Sequence, residues 1–209
     1  MKFKLSPRAS LVIIAAMFVL PLALAWMMYS GAIDYRPGST RNLGELVRPA
    51  VPIDWSATIR AAADPRDQGE GPLQDLDKHW VVLHVVETPC DDRCIEAATA
   101  LRQVHRASGR NQSRIRLALL LPGGEADDRS DELPDVYEQF HLLENPDGEL
   151  RQAMNTVGDR TGVLSVPGAS YLVDPLGNIM LAYAAGSDPN HLKKDLKRLL
   201  TWSKLDESS

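Results

Sequence analysis

Cysteine is almost missing from this chain. Only Cys90 and Cys94 occur, so a scaffold stapled by many disulfides is excluded. Bases are in deficit: 23 Lys and Arg stand against 28 Asp and Glu, a net charge of −5. That excludes a broad cationic footprint for nucleic acid. Glycine and proline, 14 of each, are too few for a collagen-like or low-complexity chain. No internal repeat is visible. With 44% hydrophobic and 24% charged residues the chain is not a disordered one, and 209 residues suit one domain with an appendage.

Charge is also absent locally. None occurs between Arg8 and Asp34, and the 19 residues from Leu11 to Tyr29 read LVIIAAMFVLPLALAWMMY. A helix of roughly 20 apolar residues spans a bilayer core, and Pro21 is tolerated inside such a helix. Residues 1–32 hold Lys2, Lys4 and Arg8 and no acid, while the remainder has 20 bases and 28 acids. The positive-inside rule then predicts a cytoplasmic N-terminus over 1–8, a transmembrane helix over 9–31, and a C-terminal domain on the periplasmic side of the inner membrane. Trp26 and Tyr29 suit the outer interface. A cleaved signal peptide competes, with small residues spaced for cleavage at Ala23-Leu24-Ala25 and Ser30-Gly31-Ala32. The run exceeds the usual signal core of about 7–15 residues, which favours an uncleaved anchor. Either way, in a bacterial cell, residues 33–209 face an oxidising compartment where a cysteine pair can be a disulfide.

Residues 32–75, rich in Pro, Gly, Arg and Asp, read as a linker and irregular entry segment, with room for a short hairpin ending at Gly71-Pro72-Leu73. Residues 76–204 read as one domain and 205–209 as a tail. Trp80–Val86 is an apolar, β-branched run, the pattern of a strand buried on both faces. A helix is predicted over 89–107, where Cys94, Ala98, Leu101 and Val104 recur at helical spacing. Ile115–Leu121 is a second buried strand. The acidic stretch 123–135 reads as a solvated loop, and 135–157 as one or two short helices. Ser170–Asp174 and Ile179–Tyr183 form a hairpin around Pro175-Leu176-Gly177-Asn178. Asp188-Pro189 starts a last helix with Leu192, Leu196, Leu199 and Leu200 on one face. A parallel βαβ unit, a hairpin and a covering helix give an α/β, thioredoxin-like order, a central mixed sheet flanked by helices.

The chemistry concentrates at Thr88-Pro89-Cys90-Asp91-Asp92-Arg93-Cys94, where the first strand passes into the first helix. Reactive groups gather at such carboxyl ends of strands. Thr88 suits the N-cap and Pro89 the first helical position. Cys90 then falls in the first turn, where unpaired amides favour a thiolate, while Asp91 and Asp92 oppose it. Four residues rotate a helix by about 400° and raise it by about 6 Å, so both thiols share a face within disulfide reach. A redox-active or metal-holding dithiol, a purely structural short disulfide, and two unrelated buried thiols all remain open. The C-x-x-x-C spacing is not the C-x-x-C of most oxidoreductases, and two thiolates suit a soft ion such as Cu(I).

The strand–TPCDDRC–helix stretch resembles the Sco family of membrane-anchored, thioredoxin-fold proteins that serve copper-site maturation in cytochrome c oxidase. CDDRC running into LRQVHRASGR, SYLVDPLGNIMLAY and DPNHLKKDLKRLLTWS are similar to bacterial membrane proteins encoded among oxidase assembly factors. The resemblance spans roughly residues 40–203. It implies catalytic or copper-ligating roles for Cys90 and Cys94, and a cytochrome c oxidase subunit or another assembly factor as partner. One position departs. Sco proteins place a third copper ligand, a His, five residues before the aromatic of the YLVD strand, and here that residue is Val166. No His lies between His141 and His191. His84 reads as a buried strand residue, His141 as a helix residue, and His79, His105 and His191 as surface residues. Thioredoxin-type oxidoreductases carry a cis-proline in this neighbourhood; Val166-Pro167 fits that or an ordinary loop. The expected function is assistance to oxidase assembly by thiol exchange or copper delivery. The alternatives are a general periplasmic thiol–disulfide oxidoreductase and a non-catalytic adaptor with a structural disulfide.

Overall fold

Ser6 accepts a hydrogen bond from the Ala9 amide and Pro7 occupies the first helical position, so the first helix, α1 (Pro7–Tyr29), starts where its capping signals stand. It is apolar all round, with Leu11, Phe18 and Trp26 exposed, and Pro7–Met27 is long and apolar enough to cross a membrane. The computed structural model describes residues 6–30, 41–55, 60–61, 76–86, 90–121, 139–144 and 148–203. Two compact units result, Met1–Thr40 and Arg41–Ser209.

The second unit is built on a seven-stranded mixed sheet: β1 (Glu45–Pro52), β2 (Arg60–Ala61), β3 (Trp80–Val85), β4 (Ile115–Leu120), β5 (His141–Glu144), β6 (Ser170–Val173) and β7 (Asn178–Tyr183). The spatial order is β1-β7-β6-β3-β4-β5-β2. Its helices are α2 (Asp92–Ala107), α3 (Glu149–Thr161) and α4 (Pro189–Trp202), and a 3-10 turn spans Gly109–Arg114. β3 is central. It runs parallel to β4, with Trp80 opposite Ile115, and antiparallel to β6, with His84 opposite Ser170.

Alternation along β3 sorts its side chains between two cores. Val81, Leu83 and Val85 pack with Leu150, Met154 and Val157 of α3. Trp80 and Val82 pack with Leu101 and Val104 of α2 and Leu192, Leu196 and Leu200 of α4. Each such side chain contributes about 1.5–3 kcal/mol on burial. The predicted β6–β7 hairpin forms. Asp174 Oδ1 accepts from the Leu176 and Asn178 amides, and Gly177, at φ 80°, lies so close to the Ile53 carbonyl that a Cβ would meet it at 2.7 Å.

Three sequence expectations need correction. Residues 45–52, read as irregular entry, form the edge strand β1, and the compact unit begins at Arg41. β1 escapes a pattern search because ELVRPAVP lacks strict alternation and carries two prolines. His141 stands on β5, not on a helix; β5 is too short to show a period. Helix α2 starts at Asp92 rather than at residue 89. The hairpin at Gly71-Pro72-Leu73, the acidic stretch 123–135, Thr88 and Pro89 lie outside the described residues.

Candidate functional site

Asp91, in an extended conformation, is the N-cap of α2, and its Oδ1 accepts from the Cys94 amide at 2.9 Å. An aspartate is among the strongest caps. Cys90 therefore precedes the helix instead of lying in its first turn, and the amide at Cys94 is already satisfied by a carboxylate. Cys94 sits one turn in. The two sulfurs are joined in a disulfide with Cα atoms 5.4 Å apart, close to the separation expected from helical rise. Both residues are half-buried, and both lean on the α2/α4 core. Asp91, Asp92 and Glu96 flank the cysteines in sequence with negative charge, set against Arg93.

A groove of about 640 Å³ opens beside the bridge. Its walls include Cys94 and Leu101 of α2, Pro167 and Gly168 before β6, Tyr183 of β7 and Leu192 of α4, with His84 at the end of β3. The loop before β6 is held to β3 by Gly168 N–H donating to the Val85 carbonyl and Val85 N–H donating to the Ala169 carbonyl. Among the described residues the cis peptide bond is Arg48–Pro49, so Val166–Pro167 is an ordinary trans loop proline. Sequence reasoning did not single out Ser170, Tyr183 or Leu192 as groove residues. Only the fold brings the start of β6, the end of β7 and the start of α4 to the end of β3.

His84 is buried, with Nδ1 2.8 Å from Ser170 Oγ. Burial lowers its pKa to about 4, against the opposite effect of a hydrogen bond with the Ala169 backbone. It is neutral at physiological pH. Val166, at the position of the third Sco copper ligand, is an apolar side chain 40% exposed. His79 and His105 bond to the carbonyls of Asp77 and Gln112, and neither they nor His141 and His191 line the groove. Among the described residues no three His, Cys, Asp or Glu side chains are grouped to hold a metal ion. Among the described residues, the donors near Cys90 and Cys94 do not complete a three-ligand copper centre.

A second polar cluster borders the groove through Tyr183. Asp195 of α4 is 1% exposed, and its Oδ2 accepts from the amides of Leu43 and Gly44 at 2.8 and 2.9 Å and from the Tyr183 hydroxyl at 3.1 Å. Burial, then the Asp195 charge, pushes the Tyr183 hydroxyl far up. A Cβ on Gly44 would fall 2.5 Å from the Tyr183 ring, so only glycine fits there. Arg198 Nη1 lies 3.7 Å from Asp195 Oδ1 and also donates to the Arg41 carbonyl. The sequence did hold a signal: Asp195 interrupts the apolar stripe between Leu192 and Leu196.

A mixed sheet with a dithiol at the junction of a central strand and its helix, facing a hairpin and a covering helix, defines the thioredoxin-like class. The family of transmembrane-like, thioredoxin-like C-terminal domains matches residues 80–203, more than half of the chain, and the protein belongs to it. Solved structures with a similar fold include Sco proteins and a lipoprotein thioredoxin (Etrx1) from Streptococcus pneumoniae. A SCO1/SenC family lipoprotein from Bacillus anthracis is 14% identical, with 74% of this chain and 99% of that one covered at a TM-score of 0.50. BsSco, a member of the Sco family of cytochrome c oxidase assembly proteins with a disulfide switch, is 13% identical, with 78% and 98% covered and a TM-score of 0.49. ScoI of Arabidopsis thaliana with copper bound is 15% identical, with 62% and 89% covered and a TM-score of 0.48. No curated protein sequence matches the chain.

Proposed function

We propose that the protein is anchored in the inner membrane by α1, with its N-terminus cytoplasmic and its thioredoxin-like domain periplasmic. There it assists cytochrome c oxidase assembly by thiol–disulfide exchange with the cysteines of a copper-site subunit. The observation that carries this reading is the Cys90–Cys94 bridge, which joins the only two cysteines beside an open groove. The oxidase connection rests on the Sco-like residues around CDDRC and YLVDPLGN.

In the reducing direction, the Cys90 thiolate attacks a disulfide of the partner, one partner thiolate leaves, and a mixed disulfide forms. Cys94 then loses its proton and attacks Cys90 Sγ, which releases the second partner thiolate and closes the bridge. A membrane-associated dithiol reductant resets the pair. Neutral His84 and trans Pro167 shape the groove without changing charge in the cycle. Exchange needs no third donor, whereas Sco-type copper delivery uses the imidazole that Val166 does not supply.

The test is mixed-disulfide trapping in membranes with Cys94→Ser. Capture of an oxidase copper-site subunit is the expected result. Many unrelated captures indicate a general oxidoreductase. No capture, with a reduction potential below about −300 mV, indicates a structural staple. Cu(I) titration of the reduced protein gives equal binding by wild type and Cys90→Ser if the thiols carry no copper.

A further inference from the structure

Between Glu96 and Glu125 the chain has no acid, yet it holds Arg102, Arg106, Arg110, Arg114 and Arg116. This occurs in a protein of net charge −5. The structure gathers these bases with those of α4. Arg114 donates from Nη1 to the Leu200 carbonyl and from Nη2 to the Ser203 carbonyl, so the 3-10 turn abuts the end of α4. On α4 the single acid, Asp195, is buried, while Lys193, Lys194, Lys197 and Arg198 are exposed. Arg106 and Arg110 are exposed too. At the end of this cationic face stands Trp202, 83% exposed. The acids of α2, Asp92 and Glu96, lie at its other end, beside the disulfide.

An exposed indole amid lysines and arginines is the composition of a peripheral membrane contact, where the ring enters the headgroup level and the cations meet anionic lipid. Only ten residues, 31–40, separate the helix α1 and its cap at Ser30 from Arg41. Such a segment spans at most about 35 Å, so a bilayer holding α1 is within reach.

We infer that the outer face of α2 and α4, from Arg106 and Arg110 to Trp202, seats on the anionic phospholipid surface of the membrane that holds the chain. This rests on the anchored reading of α1. Each cation near such a surface contributes roughly fivefold in affinity.

The intact chain is reconstituted in nanodiscs of phosphatidylcholine alone or with phosphatidylglycerol, using lipids brominated near the headgroup end of the acyl chains. The emission difference between wild type and Trp202→Phe isolates Trp202. The expected result is loss of most of that component to bromine in the anionic discs only, and its return at high salt. In Arg106→Gln/Arg110→Gln, engagement falls roughly 25-fold. Unquenched Trp202 emission in anionic discs overturns the inference. That outcome also covers neutralisation of the face by the acids of 125–138 or by Asp206 and Glu207, which lie outside the described residues. Trp26 serves as the internal control: if it too escapes quenching, the anchor reading has failed instead.

Discussion

His84 carries the clearest pH consequence at the scale of single residues. Its ordinary pKa is 6.5 and burial lowers it to about 4 in the folded chain. The unfolded chain therefore binds a proton that the folded chain refuses. The stability linked to neutral His84 is fully present above pH 6.5 and is lost as the pH falls towards 4, a change of about 3 kcal/mol. Urea unfolding at pH 7, 6, 5 and 4 should show this slope, and His84→Asn should flatten it. Asp91 is the second decisive residue. Asp91→Asn keeps the cap of α2 and removes a negative charge next to both sulfurs. Reduction of the bridge by a dithiol, which attacks as an anion, should accelerate roughly two- to fivefold, followed by quenched mass shifts. Asp91→Ala should instead cost about 1 kcal/mol of stability.

Among the elements, α4 does more than cover the sheet. Its Asp195 holds residues 43–44 and Tyr183 together, and its Arg198 holds Arg41. Asp195→Ala would leave two amides and a buried hydroxyl unpaired, at a cost of about 3 kcal/mol or more. Trypsin should then cleave after Arg41 much faster, while Tyr183→Phe should lose only about 1 kcal/mol. The same elements show what the sequence could tell. β3, β4, β6, β7 and α4 were legible because apolar runs, Asp-Pro and Pro-Leu-Gly-Asn are local signals. β1, β2 and β5 were not, because edge position and shortness erase periodicity. At the candidate site, the disulfide reach between Cys90 and Cys94 was legible from spacing. The true helix start was not, since Thr88-Pro89 and Asp91 are both plausible start signals and only the fold selects Asp91. The groove was hidden because Pro167, Tyr183 and Leu192 come from segments that are distant in sequence.

For the whole molecule, the sheet's two margins bear on whether copies can pair edge to edge. Among the described residues β2 offers two, and β1 offers a strand interrupted by Pro49 and Pro52, with a register shift between Leu46 and Val51. Short, bulged or proline-bearing margins resist pairing with another sheet. A Pro49→Val/Pro52→Val variant should self-associate in concentrated detergent solution, detected by sedimentation, while wild type stays dispersed. Where α1 holds the chain in a bilayer, as proposed, confinement to a lipid plane would raise the frequency of lateral collisions between identical molecules far above that in solution. The prolines of β1 thus act as bumpers: neighbours can be crowded together without zipping into fibres.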